Sequence, residues 1–368
     1  MAYRAILVES DKLMLDELSK ILKQSPDFEV MATFNEVSAA LGRSGVHNPT
    51  LFLVDIDNKD VLNELPTFIE LYPNAQILGM MSEWNPETSR RAIDSGILGC
   101  ILKPFRAPEI IEAIKVYEKR SKLGAPYTVS FFSPKGRSGR TTLAALLALT
   151  LARDYNQTVA LIDADLQFGD LPIFFDIEPD HTVVDAVHDL RTLIPVHLAP
   201  YFHKITKNLW LLSSPDRPEY AELVDAESFL GLVSMAGHLF NYVFIDLPAG
   251  FNPLSVAVTN FADTNFVVAM INTGLEIEHV KRSMHLFDMR KVQKHKCYPI
   301  FTRVNPCTAE KQMNLEMQIG YPLAAIFPNE YNLVSIANSG QILNGLPRDT
   351  LMMQTIDKLA ERIVGRQL

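Results

Sequence analysis

The residues best suited to chemistry lie in the segment 130–142, SFFSPKGRSGRTT. An apolar run leads into a loop carrying Gly136 and Gly139, and two hydroxyl residues, Thr141 and Thr142, then open the helical pattern LAALLALTLA. A strand, a Gly-containing loop and a helix in that order form a cradle for a nucleotide polyphosphate. Successive backbone N–H groups and the positive end of the helix point at the anion, glycines let the backbone come close, and a hydroxyl reaches Mg²⁺. The cradle comprises Lys135, Gly136, Arg137, Ser138, Gly139, Arg140, Thr141 and Thr142, with Thr141 as the metal-facing hydroxyl. A Gly-rich turn of no particular function is the other reading of this loop. Two further apolar runs end in acids: TVALIDADLQFGD in Asp163 and Asp165, and YVFIDLPAG in Asp246. One such acid also reads as the cap of a following helix, but three motifs in this order are harder to explain that way.

To position these residues the chain must build sheets with their carboxyl ends together. At 368 residues it exceeds one typical domain, and 48% hydrophobic residues suffice for two cores. Over residues 1–120, strand-like runs at 5–8, 29–33, 51–56, 76–81 and 99–102 alternate with helical patterns such as LMLDELSKILKQ and VLNELPTFIELY. That alternation predicts a doubly wound parallel sheet, which binds ligands at the carboxyl ends of its strands. The stretch RSKLGAPY gathers charge, Gly and Pro and predicts a linker at 121–127, after which a second α/β domain spans 128–368. The expected fold class is α/β, with two doubly wound parallel-sheet domains.

Composition disfavours several functional classes. A net charge of −9 gives no global field toward DNA or anionic lipid, so no nucleic-acid partner is expected. The last apolar pattern, TLMMQTIDKLAERIVGRQL, lacks a strong cationic face and predicts core packing rather than membrane contact. No uncharged apolar stretch reaches 18 residues, so no transmembrane segment is expected, and the opening MAYRAILVESDK is too acidic for a signal peptide. Cys100, Cys297 and Cys307 form no close pair, which suits buried thiols in a reducing cytoplasm. The histidines show no metal-ligand spacing.

In the first domain, Glu9 and Asp11 follow the first strand, Asp55 ends the third and Lys103, followed by Pro104, comes after the fifth. This arrangement resembles a response-regulator receiver domain, with Asp55 at the phosphoacceptor position and Glu9 near the Mg²⁺ acids. Three positions depart from the pattern: Ser10 replaces the second acid, Met81 stands at the switch hydroxyl position with Ser82 adjacent, and Cys100 replaces the switch aromatic. These losses cut the coupling that a phospho-switch needs, and predict a receiver-like fold used for protein interaction. Asp55 also reads as an ordinary acid at a strand end.

In the second domain, the lysine heading a K-G-x-x-G-x-T-T loop resembles the deviant Walker A motif of the MinD/ParA family of P-loop ATPases. The resemblance implies ATP and Mg²⁺ as cofactors and a homodimer in which Lys135 crosses to the partner's nucleotide. Arg137 and Arg140 depart from it, standing for a glycine and for the usual phosphate lysine; a wide planar guanidinium is a poor substitute for an ammonium. The resemblance further implies that Asp165 orients the attacking water and that Asp246 holds a Mg²⁺-bound water. Gly250 would offer an N–H to the γ-phosphate. Asn305 would read adenine, although an Asn-Pro turn explains that residue equally well, and Phe327, Pro328 and Asn329 would flank the base.

A degenerate receiver domain followed by such an ATPase domain resembles the TadZ/CpaE family of pilus assembly proteins. The family implies a cytoplasmic, ATP-gated dimeric assembly and localisation factor for a Tad (Flp) pilus secretion machine, with slow or absent hydrolysis. It would act at the cell pole or the inner face of the cytoplasmic membrane, with machine proteins and a polar marker as partners of the receiver-like domain. The competing classes are an enzyme coupling ATP to ligation or transport, a DNA-partitioning or positioning ATPase of the ParA/MinD type, and a response regulator with a P-loop output domain.

Overall fold

The computed structural model describes residues 2–190, 193–290, 296–344 and 346–368. The chain divides into two compact units, Met1–Ala125 with Asp189–Ala199 and Gly231–Leu239, and Pro126–His188 with Pro200–Leu230 and Phe240–Leu368. Each is built on its own sheet.

The first unit carries β1 (Tyr3–Val8), β2 (Phe28–Phe34), β3 (Leu51–Asp55), β4 (Gln76–Met81) and β5 (Gly99–Leu102) in the order β2-β1-β3-β4-β5, all parallel. This is the flavodoxin-like doubly wound order, whose direction reverses between β1 and β3. The inner strands are buried over most of their length, β3 completely, as near-continuous apolar runs in a parallel sheet should be. The pattern at 61–72 does not form one helix. A short 3-10 turn, Lys59–Asn63, precedes the helix Leu65–Leu71, because Pro66 has no N–H to donate and fits only a first helical turn.

The second unit carries β6 (Tyr127–Ser133), β7 (Val159–Asp163), β8 (His203–Lys204), β9 (Leu209–Leu212), β10 (Tyr242–Ala249), β11 (Thr264–Met270), β12 (Cys297–Val304) and β13 (Ala325–Pro328). Their order is β13-β12-β11-β6-β10-β7-β9-β8, parallel throughout except for the short edge strand β8. β10 lies between β6 and β7, with Asp246 in register with Phe131 on one side and Asp163 on the other. The loop after β6 and the acids of β7 and β10 therefore meet at one edge of the sheet.

The helix Arg140–Arg153 that follows β6 is apolar almost all round, and every residue from Leu143 to Ala152 is buried. Such a helix belongs inside a core rather than on a surface. The C-terminal helix Leu351–Val364 joins the same core through Met352, Met353, Ile356, Leu359, Ala360 and Ile363. Its apolar stripe is thus used for packing, and among the described residues no helix is long and apolar enough to cross a membrane. Ile356→Ala is expected to cost about 2–5 kcal/mol, the range for emptying a fully buried aliphatic site, as a lowered midpoint in urea unfolding; a loss under about 0.5 kcal/mol is what an exposed stripe would give.

Candidate functional site

The loop between β6 and the helix Arg140–Arg153 wraps a cavity of about 750 Å³, a volume that suits a nucleotide. Gly136 to Thr142 line one side of it. Arg137 (φ 62°) and Gly139 (φ 81°) both take left-handed backbone, which turns the chain sharply enough to present successive peptide groups on one side. The loop is fixed from two directions. Thr302 Oγ1 on β12 donates to Ser138 O at 2.7 Å, and Ser133 Oγ at the end of β6 donates to Lys135 O. The first N–H groups of the helix have no partner within it and belong to residues that line the cavity. The loop thus fits a polyphosphate.

The acids come together as the register of the strands requires, and a cation holds them. Arg140 is 7% exposed. Its Nε donates to Asp246 Oδ1 at 2.5 Å, and its Nη2 reaches Asp165 Oδ2 at 3.3 Å. Thr141 Oγ1 donates to the other oxygen of Asp246 at 2.6 Å. Burial disfavours the Arg140 charge, but Asp246 beside it more than offsets this and holds the guanidinium above its ordinary range. Burial also pushes Asp246 up, against the opposing pull of Arg140 and Thr141. Asp163, fully buried and alongside Asp246, is held well above the usual carboxylate range. It accepts from the N–H groups of Asp165 and Leu171, each at 3.2 Å, and so folds the segment after β7 back over the site.

The first unit has a second charged cluster at the carboxyl ends of its strands. Lys103, buried, donates to Glu9 Oε2 at 2.7 Å and Asp55 Oδ1 at 3.0 Å, and pairs with Asp57 Oδ2 at 3.0 Å. Ser10 Oγ donates to Asp55 Oδ2 at 3.0 Å. Ser82 donates to Asp57 through both its hydroxyl, at 2.7 Å, and its N–H, at 2.9 Å. Burial raises Glu9. It opposes the Lys103 charge too, yet the bonds to Glu9 and Asp55 prevail and the ammonium sits above its normal range. At Asp57 burial is outweighed by the bonds from Ser82, and the carboxyl is held below its usual range. The sequence reading named Glu9, Asp55, Lys103 and Ser82 but missed Asp57. Only its place two residues after Asp55, in LFLVDID, could have signalled it.

Residues 129–343 match the family model described as the CobQ/CobB/MinD/ParA nucleotide binding domain. The chain belongs to this family. It is 27% identical over 248 residues to a putative septum site-determining protein MinD of Mesostigma viride, covering 65% of this chain and 84% of that protein. The fold is similar to that of a ParA family ATPase from Chlorobium tepidum TLS, with a TM-score of 0.59, 21% identity and coverage of 64% of this chain and 99% of that one. It is also similar to the septum site-determining protein MinD complexed with Mg-ADP from Pyrococcus horikoshii OT3, with a TM-score of 0.55, 17% identity and coverage of 65% and 96%.

Several residues expected at the site have other partners or positions in the structure. The N–H of Gly250 donates to Ser133 O at 2.8 Å, so it closes the sheet between β6 and β10 and is not offered to a phosphate. Asn305 is exposed beyond β12, and neither it nor Pro328 is among the residues lining the cavity. Phe327 is fully buried in the core, since alternate side chains of β13 face inward. Val334, Ala337 and Asn338 of the helix Tyr331–Asn338 line the cavity instead, with Arg303 at the end of β12 and Phe168 after β7. Finally, Thr141 and Asp246, expected to hold Mg²⁺ with Asp246 acting through a bound water, are closed on each other and on Arg140. As arranged, they do not fit a magnesium ion.

Two outcomes test this geometry. A Cβ at Gly169 would stand 2.3 Å from both Asp163 Oδ2 and Ser214 Oγ, so Gly169→Ala is expected to destabilise the protein by about 1–3 kcal/mol in urea unfolding. Lys103→Met leaves Glu9 and Asp55 buried without their cation, a loss of about 3 kcal/mol at pH 8. Because the ammonium is raised, its contribution is fully present below the ordinary lysine pKa. Because burial raises Glu9, it takes up a proton more readily as pH falls and then no longer needs the ammonium. The penalty should therefore shrink between pH 8 and pH 5; an equal loss at both would count against the buried cluster.

Proposed function

We propose that this chain is an ATP-binding switch protein of the MinD/ParA type that dimerises around its nucleotide and hydrolyses it slowly or not at all. The observation that supports this best is the meeting, at the carboxyl ends of three adjacent strands, of the polyphosphate loop 135–142 with Asp246 and Asp165. ATP would lie with its phosphates on that loop. Lys135 is exposed and does not line the cavity, and its ammonium makes no ion pair among the described residues. It is therefore available to a second subunit. Two triphosphates facing each other across a two-fold axis repel, and a lysine from each side offsets that repulsion. Slow hydrolysis follows from Arg140, which engages the Asp165 carboxylate that would orient the attacking water.

The boundaries that accompany this reading are a receiver-like domain at 1–120, a linker at 121–127 and the ATPase domain at 128–368. The acids of the first unit already have partners within it, the Lys103 ammonium and the donors of Ser10 and Ser82, which supports a docking role over phosphorylation of Asp55. A docking domain joined to a nucleotide-gated dimer is what an assembly and localisation factor requires. We assign it to the Tad (Flp) type pilus machine, at the cell pole or the inner face of the cytoplasmic membrane, with machine proteins and a polar marker binding the first domain.

Sedimentation of wild type and Lys135→Ala, each with and without ATP, tests the reading. The wild-type dimer fraction should rise with ATP and the variant's should not. Equal fractions in all four samples would sink the nucleotide-gated dimer, and turnover above about 1 s⁻¹, ordinary for an enzyme, would sink slow hydrolysis.

A further inference from the structure

The guanidinium of Arg140 does what a metal ion would be asked to do. It is a buried cation, bonded to Asp246 at 2.5 Å and reaching Asp165 at 3.3 Å, and Asp246 gives its second oxygen to Thr141. The hydroxyl and the carboxylate that could ligate a divalent ion are thus joined to each other, with the positive charge coming from the chain itself. Arg140 also lines the cavity beside Gly139 and Thr141, so its charge is next to the polyphosphate loop. Mg²⁺ demands near-ideal octahedral oxygen coordination at about 2.0–2.1 Å, and here both Asp246 oxygens are already taken, one by the Arg140 guanidinium and one by the Thr141 hydroxyl. An arginine remains charged at all ordinary pH values.

Building on the proposed nucleotide reading, we infer that Arg140 is the resident cation of this site and that the chain binds its nucleoside triphosphate without a divalent metal. The phosphates would rest on the backbone of the loop, with the Arg140 charge beside them and Asp246 serving to fix that charge. A lysine at position 140 would lack the planar fork that spans two carboxylates. It would free Asp246 and Thr141 and open the site to Mg²⁺.

The test titrates ATP into the full chain by calorimetry, in excess EDTA and in millimolar Mg²⁺. For the wild type the two affinities should agree within about threefold, whereas Arg140→Lys should bind at least about tenfold more weakly in EDTA. Wild-type binding that is lost in EDTA overturns the inference and leaves the nucleotide reading intact. Absence of binding in both media overturns the nucleotide reading, and the resident-cation inference is then decided by a second arm without nucleotide. There Mg²⁺ alone is added during thermal unfolding of wild type, Arg140→Lys and Arg140→Met. The midpoint of the variants, whose acids have lost their planar cation, should rise by a few degrees or more while the wild type stays within about one degree. A rise of equal size in the wild type, or none in either variant, overturns the inference.

Discussion

The second unit depends on one ion pair, Arg140 with Asp246. Parallel pairing puts Asp246 in register with Asp163, so two carboxyl groups are buried side by side between strands. Taking such charges out of water costs several kcal/mol each, and removing the partner of a buried charge is more damaging than never having built the pair. Arg140 meets this demand from the first residue of the helix Arg140–Arg153. The left-handed turn at Gly139 delivers it there, and Thr141 one residue on takes the remaining oxygen. Loop shape, helix start and acid cluster are in this sense one structure.

The first unit solves the same electrostatic problem in another way. Its acids also gather where a parallel sheet directs them, at the carboxyl ends of β1 and β3, and a lysine following β5 reaches in to neutralise them. Asp57, which is partly exposed, completes that cluster by taking both donors of Ser82. An isolated ammonium is a point charge with three donors and can serve three separate carboxylates, as Lys103 does. The planar guanidinium of Arg140 instead spans two carboxylates, one on β10 and one in the segment that follows β7.

Much of this was legible in the sequence because it rests on local patterns. All five strands of the first sheet lie where the apolar runs place them, and the order strand, Gly-containing loop, helix at 130–142 marked the cavity. The partner of Arg140 was not legible. Which acid meets a guanidinium depends on the pairing of β6, β10 and β7, set by contacts between segments far apart in the chain. The roles expected of Gly250, Asn305 and Pro328 rested on analogy at strand ends, where a change of register or of one turn redirects an N–H or a side chain. Gly250 shows this directly, its N–H being taken by Ser133.

The helix that carries the polyphosphate loop has no free face, since its residues from Leu143 to Ala152 are buried and it shares a core with the C-terminal helix. A close-packed element of this kind cannot tilt or slide without opening voids on every side. The helical end of the loop is therefore anchored in the core. The segment after β7 is held as well, its backbone bonded to the Asp163 carboxylate, yet it leaves Phe168 73% exposed among the residues that line the cavity. An anchored receptor thus carries an aromatic ring on its outer face, and a second molecule that meets the site has that ring to pack against.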